Sequence, residues 1–256
     1  MNRTIVPSSP VNATRRRICG LLIAGAALPI AAIGEHAGSS HLPREVAGIP
    51  LPTSPSAVRA AEFVRQAYPE FLFNHCMRTF LFGAFELRRQ RVTYNAEDAF
   101  IAAAFHDMGL LPNFASPSQS FEIDGANAAE KFALEAALSS GDAGVVWQSI
   151  ALHDTRRALI GRAGPEAVLV SFGAGSDVDG PSLDTDDERR EMEEVVTAFP
   201  RLQFKRQFSN LLIEHCKRKP TSQQQTWLEG LCRSTTPEAS AYISVESEIN
   251  AAPFAE

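Results

Sequence analysis

Residues 70–90 read EFLFNHCMRTFLFGAFELRRQ. The stretch has no proline, and Phe71, His75, Arg78, Phe82 and Phe85 recur in steps of three and four, the spacing of one helix face. This predicts a long, strongly apolar helix with His75 on the same face as core aromatics. Upstream, SPSAVRAAEFVRQAYP starts with Ser54 as N-cap and Pro55 at the first helical position. Downstream, YNAEDAFIAAAFHDMG (94–109) predicts a helix capped by Asn95, with Asp98 completing a loose capping box and Gly109 ending it. Further helices are expected over DGANAAEKFALEAAL, capped by Asp124, and over GDAGVVWQSIALHD, capped by Asp142 with His153 near its carboxyl end. GPEAVLVSFGAGSDVDG is ambiguous in its Val and Phe content, but Pro165 at its start permits another buried helix. Three more helical patterns follow in the tail. With no long strand alternation, phosphate-binding glycine loop or repeat, the expected fold class is all-α, a helical bundle.

FIAAAFHDMGLL (100–111) raises a chemical question. A run of small and apolar residues ends in an adjacent imidazole and carboxylate, and burying these unpaired costs several kcal/mol, roughly. A metal ion or a hydrogen-bond network must compensate them. The other ionisable residues on apolar helices are His75, His153 and Asp177, each on a different predicted helix. Side chains from several facing helices converging on an ion form the usual metal site of a helical bundle. Imidazole nitrogen and carboxylate oxygen suit Zn²⁺, Fe²⁺ or Mn²⁺. Taken singly, each histidine is more often a satisfied core residue, and Asp177 a cap or turn residue.

The ordered set HCMR (75–78), FHDMG (105–109) and Asp177 after GAGS resembles the H…HD…D pattern of the HD-domain metal-dependent hydrolase superfamily. NHCMRTFLFGA (74–84), SFEIDGANAAEKF (120–132), IALHDT (150–155) and FGAGSDVDG (172–180) are similar to its cyanamide hydratase-like branch. The likeness spans roughly residues 54–180. It implies an HD-type helical bundle and a divalent ion, Zn, Fe or Mn, held by His75, His106, Asp107 and Asp177, with Asp179 as the weaker stand-in for the last. Some relatives with extra histidines carry a second metal. Arg78, one turn beyond His75, would orient a ligand carboxylate or else form a surface ion pair. His153 would bind substrate, transfer a proton or help hold a second ion. Glu122 and Asp124 are weaker proton-donor candidates, and capping is the competing account of Asp124.

The activity so implied is a metal-dependent hydrolase or hydratase acting on a small molecule, in which activated water adds to a nitrile-like group. A phosphohydrolase of nucleotides or other phosphate esters is the alternative. Arg156, Arg157 and Arg162 in DTRRALIGRAGPE, as phosphate or substrate partners, favour it, although a solvated loop explains them as well. A non-catalytic HD-like binding module with a structural or lost metal site is the rival class.

The chain has 256 residues with 24 basic and 30 acidic side chains. A net charge of -6 argues against non-specific nucleic-acid binding. Residues 1–34 carry four arginines and no acid or lysine, and they run from SSPVNATRRR into ICGLLIAGAALPIAAIG. A charged region before an apolar one reads as an export signal, with TRRRICGLL resembling a twin-arginine leader. Periplasmic or exported localisation is therefore expected, with a cytoplasmic location the alternative and membrane contact confined to residues 18–33 if the leader is uncleaved. Residues 35–53 read as a linker, 54–235 as the HD domain and 236–256 as a loose tail, with homo-oligomerisation left open. Without the leader, 20 basic face 30 acidic residues. Cys76, Cys216 and Cys232 form no CxxC pair, and a bridge between the last two suits an oxidising compartment.

Overall fold

The structure is a computed structural model and describes residues 42–155, 160–181, 183–223, 226–236 and 249–251. The leader, much of the tail, and Arg156 and Arg157 lie outside the described residues. A short antiparallel hairpin comes first, β1 (Glu45–Val46) with β2 (Ile49–Pro50), and the helices follow it. Ala47 and Gly48 turn it with φ of 49° and 73°, left-handed values that suit a two-residue hairpin turn. Val46, Ile49 and Leu51 are buried, so this part of the stretch read as a linker belongs to the core. Gly and Pro there mark a tight turn and an edge strand, not an unstructured arm.

The helices are α1 (Pro55–Ala67), α2 (Glu70–Gln90), α3 (Ala96–Phe105), α4 (Phe121–Glu135), α5 (Ser140–Ala151), α6 (Pro165–Asp179), α7 (Asp186–Ala198), α8 (Phe204–Arg218) and α9 (Glu229–Thr235). This is the expected all-α class. No helix among the described residues is long and apolar enough to cross a membrane. Ser54 caps α1 by accepting from Ala57 N, and Asn95 caps α3 by accepting from the backbone of Glu97 and Asp98. The second half of the α3 box is absent, because Asp98 accepts from the Asn95 side-chain amide and Glu166 takes the Asn95 backbone N–H.

Two caps fall elsewhere than expected. Ser139, not Asp142, caps α5, with Asp142 N donating to its hydroxyl at 3.1 Å. Ser120, not Asp124, occupies the cap position of α4. Asp124 lies inside that helix, where it accepts from Lys219 Nζ at 2.6 Å and Ser116 N at 2.9 Å. In both cases a serine begins the helix a few residues before the acid. Asp at the third or fourth helical position still complements the helix dipole, so the two registers look alike in sequence.

Helix α2 is the axis of the bundle, buried along almost its whole length and packed against α6, with α3 touching both. At Gly83 and Gly173 the backbones of α2 and α6 approach closely. A Cβ on Gly83 would come within 2.1 Å of Leu169 O, and one on Gly173 within 1.9 Å of Thr79 O. Amphipathic α7 has a complete capping box of Thr185 and Glu188. The short α9 is joined to α8 by a disulfide between Cys216 and Cys232. Closing a loop with a sequence separation of 16 contributes about 3 kcal/mol in the chain-entropy account.

Candidate metal centre

Three elements supply the polar residues at the heart of the bundle. α2 presents His75 and, one turn on, Arg78. α3 ends at Phe105, and His106 and Asp107 lie in the tight turn leading to the 3₁₀ turn Met108–Leu110 rather than inside the helix. Gly109 does not end α3. It lets that turn press on the start of α4, where a Cβ would lie 2.1 Å from Phe121 O. Asp177 stands in the last turn of α6.

His75, His106 and Asp107 are all buried, with one ligand atom of each inside a mutual distance of 4.8 Å. The two Nε2 atoms are 3.3 Å apart, and Asp107 Oδ2 lies 3.4 Å from each. The far nitrogens define the tautomers. His106 Nδ1 is 2.9 Å from Ala103 O, which only accepts, so that nitrogen carries the proton. His75 Nδ1 is 2.7 Å from the Asp177 carboxylate and donates to it likewise. The two Nε2 atoms face each other and Asp107 Oδ2, a carboxylate oxygen that is buried with no hydrogen-bond partner.

A proton on either ring would serve one of the other two acceptors and not both, whereas an ion serves all three. Ligand atoms about 2.0–2.1 Å from an ion at tetrahedral corners are roughly 3.3–3.4 Å apart, the separation seen here. The group could therefore hold a metal ion. Burial lowers the His106 pKa to about 4, with the His153 and His75 rings adding to the effect and Asp107 opposing it. The imidazole is thus neutral and available as a ligand at ordinary pH.

Asp177 is engaged on all sides. Oδ2 accepts from His75 Nδ1 and from Arg78 Nη2, both at 2.7 Å, and Oδ1 accepts from Arg78 Nε at 2.8 Å and Arg201 Nη1 at 2.5 Å. Although burial pushes this carboxyl up, the bonds from His75 and Arg78 hold it well below the usual carboxylate range. Arg78 is fully buried and also donates to the carbonyls of Phe199 at 2.8 Å and Pro200 at 3.2 Å. It is no surface ion pair.

The remaining sequence candidates divide clearly. His153 is buried against the cluster, its ring 5.1 Å from that of His106, and its Nδ1 lies 2.7 Å from Ile150 O. Glu122 is buried with neither oxygen hydrogen-bonded and lies beside the Asp154 carboxyl, outside the group of three. Burial, then Asp154, pushes its pKa up to about 9, so it stays protonated at neutral pH. Asp179 and Arg162 are exposed, and Asp124 is occupied by Lys219.

Sequence reasoning missed Arg201, Phe204, Phe208, Tyr68 and Cys76. The Phe204 and Phe208 rings lie 4.8 and 5.2 Å from that of His75 and shield it from water. The Tyr68 hydroxyl is buried near Cys76 and Asp107 with no well-formed hydrogen bond. The FxxxF spacing of Phe204 and Phe208 signalled a buried face of α8, but nothing in the sequence said what that face covers. Arg201 reaches back to Asp177 from beyond α7, and no local pattern announces such a contact.

No family model matches the chain, and no curated protein matches it.

Proposed function

We propose that the chain is a metal-dependent hydrolase or hydratase of the HD type, similar to the cyanamide hydratase-like branch, acting on a small molecule. The observation that carries this is the convergence of His75 Nε2, His106 Nε2 and Asp107 Oδ2 in a dry core, where the carboxylate oxygen has no hydrogen-bond partner. Zn²⁺, Fe²⁺ or Mn²⁺ in that position supplies Lewis acidity and lowers the pKa of water toward about 7, giving a nucleophile at neutral pH. Three protein ligands leave coordination positions open, the composition of a catalytic rather than a closed structural site.

The chain's own residues have separable tasks. His75 and His106 are oriented by Asp177 and by Ala103 O, so each offers a lone pair without reorganising. Phe204 and Phe208 keep water from the outer side of His75, which strengthens electrostatic effects inside. His153, its ring 5.1 Å from that of His106 and its Nδ1 tied to Ile150 O, is the group placed to move a proton between an incoming nucleophile and the substrate nitrogen.

Elemental analysis of purified protein tests the reading. We expect about one equivalent of Zn, Fe or Mn per chain, lost in His106→Ala together with activity toward cyanamide or simple nitriles. Metal-free protein that is indifferent to His106→Ala would overturn it. Turnover of phosphate esters alone would replace the hydratase-like reaction with a phosphohydrolase.

A further inference from the structure

The proposed metal site leaves the role of Asp177 to be decided, and the following inference rests on that site. We propose that Asp177 is a positioning residue that acts through His75, not a ligand of the ion, and that Arg78 and Arg201 together hold it in that role. A carboxylate offers about four lone-pair directions. Those of Asp177 are filled by His75 Nδ1, by Arg78 Nε and Nη2, and by Arg201 Nη1, at distances between 2.5 and 2.8 Å. No oxygen of Asp177 joins the group of mutually close ligand atoms formed by His75, His106 and Asp107.

Turning Asp177 toward an ion would break the bidentate pair with Arg78. That guanidinium is fully buried, and stripping a buried charge of its partner is strongly unfavourable. Arg78 cannot follow the carboxylate, because its Nη1 is held by the Phe199 and Pro200 carbonyls and Asn74 Nδ2 also grips Pro200 O at 2.9 Å. Arg201 adds a second attachment, its Nη2 donating to the main-chain carbonyl of Asp177 at 3.0 Å. Its Cζ lies over the Phe204 ring, 4.8 Å from the centroid. The two residues that follow it, Leu202 and Gln203, have φ of 47° and 60°, left-handed values that non-glycine residues rarely take. Such strain persists only where surrounding contacts over-determine the backbone. Here the carbonyls of Phe199 and Pro200 and the Arg201 side chain are all tied to the carboxylate that orients His75.

The arrangement is a carboxylate–histidine pair behind a metal position. It fixes the His75 tautomer, raises the basicity of Nε2, and leaves the ion with three protein ligands instead of four.

Titration with Co²⁺ alone, read by visible absorption, tests this on wild type, Asp107→Asn, Asp177→Asn and Arg201→Gln. We expect one equivalent bound by wild type and no defined site in Asp107→Asn. Asp177→Asn and Arg201→Gln are expected to keep the wild-type band positions and intensity, with affinity weakened about 10- to 100-fold. If wild type takes up no Co²⁺, the metal reading fails and this inference with it. If wild type binds and Asp177→Asn alters the spectrum or loses the site as completely as Asp107→Asn, the positioning role alone is overturned. Should Asp177→Asn not fold, carboxyl ¹³C NMR of aspartate-labelled wild type decides the matter. Zn²⁺ should move the Asp107 resonance and leave that of Asp177 in place, and a comparable shift of Asp177 would overturn the proposal.

Discussion

Glu122 shows how far a single side chain can depart from its solution behaviour in this core. Its carboxyl is buried without a hydrogen-bond donor, and the Asp154 carboxyl lies beside it. Both features favour the protonated form, and the folded-state pKa rises from 4.5 to about 9. The unfolded chain releases this proton near pH 4.5, whereas the folded chain keeps it until about pH 9. Between those values the folded state binds more protons, so stability contributed by this residue is complete below the lower value and falls as pH rises. Glu122→Gln keeps the shape and removes the titration. Urea denaturation at pH 5 and pH 8 should show the variant gaining on wild type by more than about 1 kcal/mol across that interval. A constant difference would mean that Glu122 ionises in the fold. At this scale the sequence was informative about which residues are buried and polar: His75, His106, Asp107, His153 and Asp177 all lie inside, whereas Arg78 was left between interior and surface. It was uninformative about partners. The same apolar helix face can deliver a histidine to an ion, to a carboxylate or to a carbonyl: His106 and His153 meet carbonyls three residues back, whereas His75 meets a carboxylate 102 residues on.

At the scale of elements, α2 and α6 must touch backbone to backbone for His75 to reach Asp177. Gly173 makes this approach, because a methyl group there would collide with Thr79 O at 1.9 Å, and neither backbone can yield without separating the helices. Gly173→Ala is expected to lower stability by about 3 kcal/mol or more. Two positions on, a Cβ at Gly175 meets nothing within 4 Å, and Gly175→Ala should stabilise the same helix by up to about 1 kcal/mol through propensity. Thermal melts of the two variants should therefore move in opposite directions, and a shared direction would mean that the close packing of α2 on α6 does not govern stability. The helices themselves were legible from periodicity, α2 to the residue. The cap of α5 was displaced because Ser and Asp both satisfy the start of a helix, and the hairpin was hidden because Gly and Pro serve turns and linkers alike. The end of α3 was set by tertiary packing, with Gly109 serving the contact to α4 rather than terminating the helix.

Across the whole molecule, the fold gathers an unfavourable arrangement that a bound cation would reverse. Two segments, α2 and the turn that follows α3, hold two imidazole nitrogens and a carboxylate oxygen at 3.3–3.4 Å, and in water each would be separately solvated. The unfolded chain has no such site, so any ion that binds there is linked to folding. At free metal 100-fold above its dissociation constant, the native state gains about 2.7 kcal/mol, enough to raise the melting temperature of a domain this size by several degrees. Protein stripped with a chelator should therefore melt lower than protein resupplied with Zn²⁺ or Mn²⁺. The increment should vanish in His106→Ala, even though that variant relieves the crowding of acceptors and can itself melt near the stripped wild type. Scanning calorimetry of both proteins with and without each ion separates site binding from general surface association, which the exposed acids of this chain would give equally in the two. An increment of the same size in His106→Ala would place the ion on that acidic surface and remove the buried cluster as its seat.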